Sequence, residues 1–165
     1  MAARAGVGKS TIYRRWRTKD ELVLELLMEL AAPHIEVEAA DDTRGELVAA
    51  TMNVVRALTE TAFGPVLRAL LAQIAINPAI GDPFRATVVR ARRDAIAAVG
   101  RRGIARGDLR VGVDTAIATE LLVGPAYFRL IFGGTLDRAF AEAVVDAFIE
   151  GFGTGPRPGC GQPGR

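Results

Sequence analysis

The sequence predicts an all-α protein on three observations. Apolar residues recur three and four positions apart along nearly the whole chain, the spacing that gathers them on one face of a helix. No run alternates apolar and polar residues between hairpin turns, as a half-exposed strand would. Finally, the periodic stretches stop at paired breakers, Gly64-Pro65, Asn77-Pro78, Asp82-Pro83, Gly107-Asp108 and Gly133-Gly134, where the backbone leaves helical geometry. With 165 residues, 50% of them hydrophobic, the chain is long enough to bury a core.

The elements follow in order. Ala2 to Ala5 reads as the end of a helix, and Gly6-Val7-Gly8 as a tight turn. There Gly6 admits positive φ, Val7 plugs the space between helices and Gly8 serves as N-cap. Residues 10–16 form a short amphipathic helix with Ile12 and Trp16 on one face and Arg14 and Arg15 turned away. Together these make a helix-turn-helix. Thr18-Lys19-Asp20-Glu21 is a capping box that starts the next helix, whose buried stripe is expected to be Val23, Leu26, Leu27 and Leu30. Pro33 ends it, and Asp41-Asp42-Thr43 signals a fresh start. Periodic segments then run over 43–62, 65–76, 82–106, 114–132 and 136–152, with a kink expected at Gly124-Pro125. Beyond Phe152 the chain is too poor in apolar side chains to bury anything, so 153–165 is expected to be a disordered tail. The implied domains are 1–40, a partial helix-turn-helix with its connecting helix, and 41–152, a helical body.

The net charge of +2 conceals an asymmetry. Residues 1–20 carry Arg4, Lys9, Arg14, Arg15, Arg17 and Lys19 against Asp20 alone, while the remainder holds 15 basic and 18 acidic residues. A basic head on a mildly acidic body suits a first segment that meets a polyanion. Several classes drop out. Cys160 is the only cysteine, so neither an internal disulfide nor a cysteine-based zinc site is possible, and His34 is the only histidine, so no metal site is expected. Catalysis is not expected either, because no nucleophile-base set converges. Charges interrupt the apolar stretches and no signal core follows Met1, which points to the cytoplasm. Gly8-Lys9-Ser10 matches the end of a phosphate-binding loop, but Ala3 stands where that loop needs glycine and no strand fits ahead of it.

Ala2-Ala3-Arg4-Ala5-Gly6-Val7, Lys9-Ser10-Thr11-Ile12-Tyr13-Arg14-Arg15-Trp16 and Lys19-Asp20-Glu21-Leu22 closely resemble the helix-turn-helix of the TetR family of bacterial transcriptional regulators. The resemblance implies that the short helix enters the major groove. Lys9, Ser10 and Thr11 then face base edges and phosphates, Tyr13 and Arg14 reach the backbone, and Lys19 holds a phosphate. Gly8 departs from the hydroxyl residue common at its position. The family's leading helix is missing ahead of Ala2, so the true start is expected upstream, the other reading being a naturally shortened protein.

The resemblance also implies a ligand-binding and dimerisation domain. The last two segments would pair with a second copy through Leu121, Leu122, Phe140, Val144, Phe148 and Phe152, because the final helix is apolar over more than one face. An effector pocket is expected among Met52, Phe63, Leu67, Leu70, Gln73, Phe84, Tyr127 and Phe128, with Gln73 as the orienting amide. The sequence therefore reads as a ligand-responsive regulator, a repressor, that binds double-stranded operator DNA as a homodimer, takes a small-molecule effector and needs no cofactor. The alternative is a truncated dimeric small-molecule-binding or interaction protein that no longer binds DNA.

Overall fold

The computed structural model describes residues 18–155, and among them the regular elements are helices. Helix α1 spans Lys19–Ala31 and continues into a 3-10 turn, Ala32–His34. Residues 35–40 then run without regular structure to α2, Thr43–Glu60. Next come α3 (Phe63–Ile76), α4 (Pro78–Phe84), a π turn (Arg85–Val89), α5 (Arg90–Arg106), α6 (Thr115–Phe132) and α7 (Arg138–Phe152).

Short polar caps set most of these starts. Thr18 Oγ1 accepts from the Glu21 amide (3.1 Å), Asp42 from Gly45, Asp114 from Ala116 and Ile117, and Asp137 from Phe140. The turn from α2 to α3 requires glycine: a Cβ on Gly64 would lie 2.0 Å from the Leu58 carbonyl oxygen. Asn77 both ends α3 and caps α4, its side chain accepting from the Ala79 amide. The expected break at Asn77-Pro78 is thus a sharp corner of 111° between α3 and a helical run that begins at Pro78, four residues earlier than Asp82. Proline at a first helical position forfeits no bond. Pro83 is absorbed because the chain widens into the π turn behind it, and the Thr87 hydroxyl donates to the Pro83 carbonyl. At the other end, α5 stops at Gly107 in the left-handed region (φ 82°).

Helix α2 is the hub, packed against α3, α5, α6 and α7, while α1 lies across α3 and α4. Two apolar clusters fill the body. One joins Leu27 and Ala31 of α1 to Val54, Leu58, Phe63, Leu67, Phe84, Val88, Ala126 and Phe140, and the other gathers Leu47, Ile96, Val99, Leu122, Val145 and Phe148. The stripe of α1 differs from expectation by about one residue. Leu27 and Ala31 are fully buried, whereas Leu26 is 40% exposed, because the helix presents its Val23-Leu27-Ala31 side to the body. One helix runs through Gly124-Pro125. The start of the expected tail is tied down: Gly153 bridges to Leu109, and Thr154 Oγ1 donates to the Gly107 carbonyl.

Candidate functional site

Of the residues assigned to DNA, Lys9, Ser10, Thr11, Tyr13 and Arg14 lie outside the described residues. Lys19 opens α1 and is exposed, one residue after the Thr18 cap. Its positive charge lies at the positive end of the helix, in the same turn as the Asp20 and Glu21 carboxylates. The neighbouring Asp20 carboxylate is engaged elsewhere, accepting from Asn77 Nδ2 (3.3 Å) at the α3–α4 corner.

The central helices bring together Met52, Phe63, Leu67, Leu70, Phe84 and Tyr127 in one apolar cluster. Phe63, Leu67 and Phe84 are 4% exposed or less, so the cluster is closed. Two expected members do not belong to it. Gln73 is exposed on α3, off the stripe that Phe63, Leu67, Leu70 and Ile74 share. Phe128, one residue and hence about 100° beyond Tyr127 on α6, is turned out of the cluster and 62% exposed.

The polar group inside the body is one that sequence reasoning missed. Phe84, Val88, Arg92, Ile96, Val99 and Gly103 are among the inward positions of the α4–α5 run, and all are buried. Arg92 therefore occupies a core position, 6% exposed, with Nη1 donating to the His34 carbonyl (3.3 Å) while Nε and Nη2 make no hydrogen bond of ordinary length. Burial lowers the affinity of this guanidinium for its proton, and the nearby Tyr127 hydroxyl offsets part of that cost. Burial likewise pushes the Tyr127 phenol up, against the pull of Arg92. Between Arg90 and Arg93, Arg92 looks in sequence like one of a surface trio. Only its four-residue spacing from Val88 and Ile96 betrays it.

A second buried ionic group secures the frame. Glu46 on α2 has no exposed surface and accepts from the Ala40 amide (2.9 Å), from Arg102 Nε (3.0 Å) and from Arg106 Nη1 (3.3 Å). Burial raises its pKa, but the Ala40 amide and the two guanidinium groups outweigh that and hold it below the ordinary carboxylate value. Arg106 also binds Thr43 Oγ1 and the Ala40 carbonyl, so the network fastens the end of segment 35–40 to α2 and α5.

The last two helices expose a continuous apolar face. Ile117, Leu121, Phe128, Ile131 and Phe132 of α6 are 44–72% exposed, and the rings of Phe128 and Phe132 lie 4.8 Å apart. Beside this stripe, α6 and α7 enclose an open groove of about 880 Å³. Leu121, Phe140, Val144, Phe148 and Phe152, all expected at an interface, line it together with Phe128. Leu122 is a correction: it is fully buried in the protomer's own core, because α6 turns it toward α2 while Leu121 faces out. By length and composition α6 would also suffice to cross a membrane; here its inner side packs on α2, α5 and α7.

Comparison with known proteins identifies the fold and the family. Residues 37–148 match the model of the tetracyclin repressor-like C-terminal domain, and residues 1–26 match that of the bacterial regulatory proteins of the tetR family. The chain is 31% identical over 151 residues to the DNA-binding transcriptional repressor TetR of Mycobacteroides abscessus, covering 88% of this chain and 77% of that protein. It is 26% identical over 150 residues to the uncharacterised HTH-type transcriptional regulator YdeS of Bacillus subtilis, covering 90% and 75%. A crystal structure of a TetR family transcription regulator superposes with a TM-score of 0.75 at 26% identity, covering 91% of this chain and 83% of that one.

Proposed function

The chain belongs to the TetR family of bacterial transcriptional regulators, and from that premise we propose that it is a cytoplasmic repressor that grips an operator as a two-fold dimer and releases it when a small molecule enters the body. The observation that carries the reading is the pairing of a family-matched head with the exposed α6 stripe and its groove. A stripe of five large apolar side chains exceeds the scattered exposure of an ordinary monomer surface, and a second copy of the same face covers it. In this reading Lys9, Ser10, Thr11, Tyr13, Arg14 and Lys19 form the DNA surface, and the protein acts by binding rather than by catalysis.

A gel shift against a palindromic operator tests the head. Lys19→Ala is expected to weaken binding to all sequences alike and to flatten the slope of log affinity against log salt by about one, because one fewer counterion is released. Unchanged affinity and slope would remove Lys19 from the DNA surface.

A further inference from the structure

Arg92 is a cation in a core position without a counter-charge. Its two unused donors, Nε and Nη2, form one edge of the guanidinium, while Nη1 on the other side is taken by the His34 carbonyl. The same molecule shows what that edge accepts. Arg44 holds Asp146 through Nε (2.7 Å) and Nη2 (3.0 Å), a two-pronged grip on one carboxylate. No carboxylate reaches the corresponding edge of Arg92. The cavity it lines is apolar, bounded by Ile35, Val37, Val54, Ile96 and Val123, and holds about 10 Å³, roughly one water.

We propose that Arg92 reads the carboxylate of an apolar monocarboxylic acid, through its Nε/Nη2 edge, and that this acid is the effector. The proposal rests on the effector-responsive reading above and supplies its ligand class. One guanidinium in apolar surroundings matches a monoanion with a hydrocarbon body better than a dianionic phosphate, whose second charge would be buried unpaired. The Tyr127 phenol interacts with the same guanidinium but does not bound this cavity, so Arg92 supplies the polar contact there.

The route in is the segment that covers Arg92. Ile35 and Val37 line both this cavity and an outer one of about 360 Å³, with Ala95 shared between them. Ile35 also borders a further outer cavity of about 340 Å³ beside Met28 of α1. Displacing residues 35–37 merges these spaces. The segment is anchored by three polar ties: Arg92 to the His34 carbonyl, Asn53 Nδ2 to the Glu36 carbonyl (2.8 Å), and the Glu46–Arg106 pair to Ala40. An acid that engages Arg92 and displaces Ile35 therefore acts at the end of α1, the helix whose other end carries Lys19. Ligand binding and the placement of the head share one element.

Binding is measured on the whole chain without DNA, by calorimetry and thermal shift, so that failure of the operator reading does not affect the result. The probes are hexanoate, octanoate, decanoate, benzoate and phenylacetate, each against its uncharged amide, with octyl phosphate alongside octanoate. At least one acid is expected to bind saturably and raise Tm by roughly 2 °C or more, its amide binding at least tenfold more weakly. Arg92→Met is expected to lose acid binding at least tenfold while its ligand-free Tm stays level or rises, since it removes an unpaired buried charge. A purely structural Arg92 would lower that Tm. No response to any acid, equal binding of acid and amide, tighter binding of octyl phosphate, or undiminished acid binding in Arg92→Met would each overturn the proposal, leaving Arg92 satisfied by water. If Arg92→Met fails to fold, the acid-against-amide comparison on the unaltered protein decides alone.

Discussion

At the scale of single residues, the two charged side chains that matter most in the body were the least legible in the sequence. Glu46 and Arg92 belong to types that are almost never buried alone, so their identity outweighs their position until the packing is known. Glu46 is balanced: removing its charge takes from Arg102 the carboxylate it donates to and leaves Arg106 with Asp108 (3.5 Å), and the two guanidinium groups keep 33% and 28% of their side-chain surface. Glu46→Gln should therefore cost roughly 3 kcal/mol at neutral pH, toward the lower end for a broken buried pair because both arginines retain water. The pH dependence has a definite sign. The carboxyl is held below its ordinary value of 4.5, so its stabilisation is present above that value and fades as pH falls through the lower folded pKa. Urea unfolding from pH 7 to pH 3 should show unaltered protein and Glu46→Gln converging at the acid end. Parallel curves would mean that the Glu46 charge contributes nothing to folding.

At the scale of elements, starts with a short polar cap were readable, and starts made by proline were not. Thr18 and Asp42 cap where the sequence placed helix beginnings, whereas Asn77-Pro78 reads equally well as a stop and as a cap followed by proline at a first position. Only the Pro78–Arg106 run, carried past Pro83 by the π turn, decides between the two. Glycine shows the same ambiguity within α5. Gly100 and Gly103 are both interior to it, and nothing in the local sequence separates them. A Cβ on Gly100 meets no atom within 4 Å, whereas one on Gly103 would lie 2.8 Å from Thr43 Cγ2 and 2.9 Å from Leu109 Cδ1. Gly100→Ala should stabilise by about 1 kcal/mol through helix propensity alone. Gly103→Ala should destabilise by roughly 1–3 kcal/mol as α2 and α5 are pushed apart. Thermal melts that move the same way for both would contradict the packing of α5 on α2.

At the scale of the whole molecule, the sequence placed apolar width in the final helix but not its division between core and surface. Phe140, Val144 and Phe148 repeat every four residues, yet Phe140 and Phe148 are 7% and 5% exposed and belong largely to the protomer's own interior. The outward face is instead the α6 stripe, in which Phe128, assigned from sequence to a ligand pocket, is a central member. That division yields a test that separates folding from association. In a two-fold dimer every residue of the interface is used twice, so Phe128→Glu buries two unpaired carboxylates, at roughly 2–3 kcal/mol each. The dimer constant should weaken by about three orders of magnitude or more. Because Phe128 is 62% exposed in the protomer, circular dichroism of the variant should remain that of a folded helical chain. Phe148→Glu should behave differently, losing the fold itself, since the same carboxylate would enter the core beside Leu122 and Val145. Light scattering at micromolar concentration should then report a dimer for the unaltered chain and a folded monomer for Phe128→Glu. A monomeric unaltered chain, or a Phe128→Glu variant that stays dimeric, would place the interface elsewhere than on α6.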